Sequence, residues 1–293
     1  MKILVTGANG QVGHCLHQQL INNSMSFKAV TRKQLDITDV SAVERSLKEY
    51  QPNIVINAAA YTAVDKAESD QENAFRINRD GVANLASVSS AIGAAIFHIS
   101  TDYVFAGNND HPYREDDDTS PQGIYGQSKL AGEIAVIQTN PKHIILRTAW
   151  VFGEHGNNFV KTMIRLGRTR DSLGIVADQH GGPTHAGDIA TALIRIAHQY
   201  IKTGDLPWGT YHYAGMPHTN WYEFARAIFK QVEAENLYDK ATPSLNAIAT
   251  ADYPTPAKRP ANSRLDCTKI QTNFGIAPSD WQAALNNIKA YAG

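Results

Sequence analysis

The apolar positions of the first half of the chain fall into two alternating rhythms. Short runs rich in Ile, Val and Leu, in "KILVTG", "FKAVTR", "NIVINAAA", "AIFHIS" and "HIILRTAWVFG", have the length and β-branched content of buried parallel strands. Between them lie longer stretches whose apolar residues recur every three or four positions. Val12, Leu16 and Leu20 in "QVGHCLHQQLINN" follow this spacing, which lines one face of a helix. The same reasoning predicts helices in "DVSAVERSLKEYQ", where Asp39 or Ser41 can cap the N-terminus, in "AFRINRDGVANLASVSSAIG" and in "YGQSKLAGEIAVIQT". Strands alternating with helices in this way predict an α/β fold, a doubly wound parallel sheet covered on both faces.

Beyond about residue 150 the alternation weakens. "NNFVKTMIRLGR" and "WYEFARAIFKQVEAEN" read as helices, and Pro243 to Pro260 as a proline-bearing loop region. Residues 1–150 are therefore expected to form the main domain and 151–293 a smaller lobe over the sheet. "GDIATALIRIAHQYI" and "GTYHYAG", roughly residues 185–215, are expected to return to the main sheet as helix and strand.

Composition narrows the class without choosing a function. The 293 residues are 43% apolar and 19% charged, as in ordinary globular proteins. Lys plus Arg number 27 against 28 for Asp plus Glu, so no net field favours nucleic acid or an anionic membrane. Cys15 and Cys267 are too few for a disulfide framework and fit a reducing cytoplasm. The opening apolar run, Ile3 to Val5, is too short for a signal-peptide core, and no run of about 18 apolar residues suggests a membrane span.

The first chemical signal is "GANGQVG", which sets Gly7, Gly10 and Gly13 between the first strand and the first helix. Glycines there permit a tight turn, let backbone approach a pyrophosphate and bring helix close to strand, as in a Rossmann-like NAD(P)-binding domain. The helix N-terminus offers free N–H groups to the phosphates, with Gln11 and Val12 in its first turn. The second strand ends Val30-Thr31-Arg32, without the acid that would bind the ribose 2′-hydroxyl of NAD. Arg32 can instead face the 2′-phosphate of NADP, so NADPH is favoured over NADH.

The second signal is "YGQSKLAGE", in which Tyr125 precedes Lys129 by one helical turn on the same face. An unperturbed phenol, with a pKa of about 10, is a poorly matched acid–base group at neutral pH, and a neighbouring cation lowers that value. Lys129 can supply the charge and can also hydrogen-bond a cofactor ribose. In "HISTDYVFAG", Thr101 adds a hydroxyl at the C-terminal end of the fourth strand, where ligands of open parallel sheets bind.

With these pieces in order, the chain resembles the extended short-chain dehydrogenase/reductase family. The likeness runs nearly end to end, through "VTGANGQVG", "LDITD", "PNIVINAAAYTAVDKAE", "INRDGVANLA", "STDYVFAG", "PYREDD", "SPQGIYGQSKLAGE", "ILRTAWVFG", "NNFVKTM", "DQHGGPT" and "RPANSRLD". It implies NAD(P)H-dependent reduction of the C4 ketone of dTDP-6-deoxy-L-lyxo-4-hexulose to dTDP-L-rhamnose, in the cytoplasm. Thr101, Tyr125 and Lys129 match the catalytic trio. Ala58, Ala59 and Ala60 match the cofactor's ribose and phosphate path, Thr62 and Asp65 lie near the same pocket, and Asp36 and Ile37 flank the adenine in relatives. Asp102, Tyr103 and Phe105 match positions near the sugar, and Trp150 the tryptophan beside the nucleotide base. Asn158, Lys161, Gln179 and Arg259 come from the second lobe's matched motifs, with Arg259 suited to a bidentate pair with the diphosphate.

Other signals carry less. "HCLH" places His14, Cys15 and His17 on the first helix but lacks a complete metal set, and Asp116 to Asp118 read as solvated loop charge. Some relatives dimerise through Mg²⁺ held by a glutamate on the first helix and an acidic pair further on. Here Cys15 stands at the first position and only Asp188 near the second, so the likeness does not extend to that ligand set; a homodimer is left open. Two other readings compete. A sugar-nucleotide dehydratase or epimerase shares the fold, but dehydratases carry an Asp-Glu pair after their threonine, where this chain has Asp102-Tyr103. The regulatory β subunit of methionine adenosyltransferase, which is not an enzyme, keeps much of the same pocket.

Overall fold

The computed structural model describes residues 1–292. β1 (Lys2–Thr6), β2 (Ser26–Val30), β3 (Ile54–Asn57), β4 (Ala95–Thr101) and β5 (His143–Thr148) are parallel and adjoin one another in the order β5-β4-β3-β1-β2. They alternate with α1 (Gln11–Asn22), α2 (Val40–Tyr50), the short α3 (Val64–Ala67) and α4 (Gln71–Phe75), α5 (Gly81–Ala91) and α6 (Ile124–Thr139). This is a Rossmann-like α/β fold. Successive residues of β1 serve opposite faces. Ile3 and Val5 join one core with Leu16 and Leu20, whereas Leu4 joins a second core with Val43, Leu47 and Leu85. Two buried faces are what unbroken apolar strands require.

Sequence periodicity captures these elements but misses their interruptions. The predicted long helix contains a π-helical segment, Arg76–Asp80, between α4 and α5. Its wider turn carries Asn78 fully inside, where the amide donates to Tyr61 O and Ser128 Oγ and accepts from Tyr61 N–H. The fifth strand ends at Thr148 rather than running on to Gly153, because Trp150 takes a left-handed backbone conformation with φ 49°.

Past that break the chain builds the second lobe: β6 (Val151–Phe152), α7 (Phe159–Gly167), β7 (Ser172–Val176), β8 (His180–Gly181) and β9 (Thr184–His185). It then returns to the main sheet, where α8 (Ala186–Thr203) packs on α1 and β10 (Gly209–His212) pairs in parallel with β5 as the sixth strand. β11 (Gly215–Met216), β12 (Thr219–Asn220), α9 (Trp221–Ala234) and β13 (Ser244–Ile248) follow. The lobe has its own core of Phe152, Val160, Met163, Phe224, Ile228 and Trp281. The proline-bearing region expected to be loop opens with β13, which pairs with β7; its residues are largely exposed, so burial leaves no apolar run to read.

Candidate active site

The C-terminal ends of β1, β3, β4 and β5 open into one cleft. At its floor Gly7 has φ +71°, and a side chain there would collide with Ala58 backbone at 2.6 Å. A Cβ on Gly13 would lie 2.0 Å from Gly7 O, so helix and loop touch only because both are glycine. Gly10 is different: a Cβ there would meet only Gly7 O at 3.3 Å, leaving the loop's outer surface open. No side chain caps α1 and no acid occupies its first turn. Uncapped N–H groups facing an open glycine loop fit a dinucleotide's pyrophosphate.

Two cavities extend from this loop. One of about 180 Å³ is lined by Gly7, Gly10, Arg32, Asp36, Ile37 and Ala58 to Ala60. Arg32 Nε lies 3.4 Å from Asp36 Oδ2, with its side chain 65% exposed. Burial alone would raise the Asp36 carboxyl, but hydrogen bonds from Thr38 and the Arg32 charge hold it below the usual range. The other cavity, about 580 Å³, is lined by Gln11, Val12, Thr62, Thr101, Asp102, Tyr103, Tyr125, Lys129 and Trp150.

The catalytic candidates meet in the larger cavity. Thr101 is the last residue of β4; its hydroxyl donates to Asp102 Oδ1 at 3.0 Å, and it lines the same cavity as Tyr125. Tyr125 is half-buried, edge-on to Tyr103 with ring centroids 5.4 Å apart. The expected lowering of its phenol by Lys129 is corrected here. Burial, with Asp102 and Tyr103, pushes the phenol well above its ordinary value, and the Thr101 hydroxyl offsets only part of this. Lys129 runs inward instead: Nζ donates to Ile99 O at 2.7 Å and lies 3.3 Å from His98 Nε2. Burial brings the Lys129 amine down to about 8 against the pull of Glu133. Asp102 is 5% exposed, and burial pushes its carboxyl up to about 6.

A third cavity, about 590 Å³, shares Tyr103 and Trp150 as walls and reaches into the second lobe past Phe159, Arg170, Gln179, Trp221, Tyr253 and Arg259. Trp150 stacks on Trp221 with centroids 3.6 Å apart, and Gly181 presses against the Trp150 ring. The Trp221 indole N–H donates to Gln179 Oε1. Trp221 and Phe159 escaped the sequence reading because each looks like a helix's apolar position. A tryptophan directly after the Asn220 cap was the available signal.

Several expected site residues are engaged with other parts of the protein. Asp65 accepts from Arg259 Nη2 at 2.6 Å and from Ala257 N–H, tying the lobes together rather than lining the cofactor cleft. Arg259 also donates to Tyr103 Oη at 3.1 Å, so its fork is engaged with protein. Phe105 is a core ring, 1% exposed, stacked on Tyr113 and beneath Arg147. Asn158 caps α7 and donates to Gln11 Oε1 and Gly153 O, while Lys161 Nζ donates to Glu154 O. Neither lines the cavities described above.

His14 stacks on His155 and His17 packs against Phe27, so "HCLH" does not converge. Near Cys15, His185 bridges Glu154 and Asp188 at 3.3 and 3.5 Å. Burial opposes its charge, but these carboxylates raise the imidazole to about 9. A thiol and a protonated imidazole do not suit Mg²⁺, which takes oxygen ligands.

A glycine loop at a helix N-terminus, leading to a Thr–Tyr–Lys cavity at the sheet's C-terminal edge, defines a short-chain dehydrogenase/reductase that uses a nicotinamide cofactor. The model of the RmlD substrate binding domain matches residues 1–292. The chain is 51% identical to a dTDP-4-dehydrorhamnose reductase of Aggregatibacter actinomycetemcomitans, over 99% of both chains. Among solved structures, the reductase of Clostridium acetobutylicum is 40% identical with TM-score 0.91, covering 99% of this chain and 98% of its own. That of Bacillus anthracis, in complex with NADP, is 36% identical with TM-score 0.89, covering 98% of each. The chain belongs to the dTDP-4-dehydrorhamnose reductase family.

Proposed function

We propose that the protein reduces the C4 ketone of dTDP-4-dehydro-6-deoxy-L-mannose to dTDP-L-rhamnose, the last step of dTDP-rhamnose synthesis, and that it prefers NADPH. The observation that carries the reading is the pair of walls, Tyr103 and Trp150, common to the catalytic cavity and the second-lobe cavity. They allow a sugar bound to a nucleotide in the second lobe to present its carbonyl to Thr101 and Tyr125. The 2′-phosphate of NADPH suits Arg32 at the edge of the smaller cavity.

The reduced nicotinamide, when bound, supplies hydride to C4. Tyr125 gives its proton to the C4 oxygen as negative charge develops, and Thr101 orients that oxygen. Donors aimed at charge that appears only in the transition state lower the barrier rather than merely tightening binding. The raised phenol suits this direction of reaction, because a proton donor must arrive protonated.

The test is to incubate wild type and Tyr125→Phe with the dTDP-4-keto sugar and NADPH, following absorbance loss and identifying the product by NMR. The expected result is dTDP-L-rhamnose from wild type and turnover lower by about 10²- to 10⁴-fold in the variant. Undiminished turnover in the variant would refute the proton donor, and a wild type without turnover would refute the reaction.

A further inference from the structure

Beneath α6 a chain of buried polar groups leads from the cleft into the sheet, and the reaction as derived above leaves it unused. It begins at Lys129 Nζ, 3.3 Å from Nε2 of His98 on β4. His98 is fully buried, and its Nδ1 lies 3.0 Å from Asn57 Nδ2 on β3. Asn57 Oδ1 accepts from Thr6 Oγ1 at 2.6 Å and from Ala59 N–H at 3.1 Å.

This geometry fixes where the imidazole proton sits. A backbone N–H only donates, so the Asn57 atom facing Ala59 is the oxygen. Turning the amide over would set two donors against each other. Asn57 therefore donates to His98 Nδ1. Full burial keeps the ring neutral, and a neutral ring accepting at Nδ1 carries its proton on Nε2. That N–H points at Lys129 Nζ. An ammonium has no lone pair to receive it, whereas an amine has one.

We propose that His98, held as its Nε2–H tautomer by Asn57, is a positioning residue that keeps Lys129 Nζ seated against β4, beside Ile99 O, and supports its amine form. Any part this plays in turnover rests on the reductase reading; the tautomer does not. The titratable groups around Lys129 are Tyr125 and Glu133 on its own helix and His98 on β4, with Glu133 paired to Arg147 of β5.

Two measurements on the cofactor-free protein decide the matter. The ¹⁵N–¹H imidazole spectrum of wild type should show His98 with Nε2 protonated and Nδ1 bare from pH 5 to 9. An Nδ1–H tautomer or an imidazolium in that range would overturn the proposal. The ¹³Cε titration of Lys129, assigned through Lys129→Arg, should move upward by about one pH unit in His98→Gln, whose carbonyl can accept from the ammonium. An unmoved or lowered titration would overturn it, even if the variant loses activity. Neither readout needs substrate, so a protein that met both yet failed to reduce the keto sugar would refute the reaction and leave the tautomer lock standing.

Discussion

At the scale of single residues, burial and charge decide roles that motif spacing only suggests. Asp102 directly follows β4, with its carboxyl raised to about 6 and Oδ2 without a hydrogen-bond partner. A carboxyl raised on folding adds stability that is complete below its unfolded value near 4 and lost as pH rises through about 6. Asp102→Asn should therefore stabilise the protein at pH 7, by on the order of 2–3 kcal/mol, and flatten stability between pH 4 and 6. Urea unfolding across that range reads both. Equal stability of variant and wild type at every pH would mean that the folded carboxyl titrates normally. Arg32 stands at the opposite extreme. With most of its side chain in water, the hold on a 2′-phosphate proposed for it would be worth about 0.5–1 kcal/mol. Arg32→Ala should raise the Michaelis constant for NADPH a few-fold and leave that for NADH unchanged, as steady-state kinetics with both cofactors would reveal.

Among elements, α6 carries the site and is fastened from below. Glu133, buried at 1% exposure, takes a two-pronged ion pair from Arg147 of β5 at 2.7 to 3.2 Å. Removing one partner strands a buried charge, which costs about 3–5 kcal/mol. Glu133→Ala should lose that much stability in urea melts, whereas a change below about 1 kcal/mol would show that water reaches Arg147. The elements themselves were legible where one rule dominates. Apolar runs gave β1 to β5, periodic stretches gave α1, α2 and α6, and Asp39 caps α2 by accepting from Ala42 N–H. What escaped were the features set by contacts distant in sequence. No local pattern marks the π segment that carries Asn78 inward, or the turn at Trp150 that ends β5.

Across the whole molecule, the same division between local and distant causes separates what could be read in advance from what could not. Glycines, the Tyr–Lys interval and the strand-end threonine announce chemistry because backbone geometry at that spot demands them. The direction in which Lys129 points and the partner of Asp65 depend on elements folded from elsewhere, β4 in one case and the segment around Arg259 in the other. Sequence alone therefore names the residues of such a site more readily than their protonation.

The stacked indoles of Trp150 and Trp221 have a further use. Trp150 leads out of the sheet at β5 and Trp221 opens α9, so two chromophores belonging to different parts of the architecture lie 3.6 Å apart, nearly parallel. Transition dipoles that close couple, which gives the protein a built-in optical gauge: a paired band in near-ultraviolet circular dichroism whose amplitude tracks the spacing of the two rings. A nucleotide sugar settling against that wall would announce itself by altering the couplet, with no label attached.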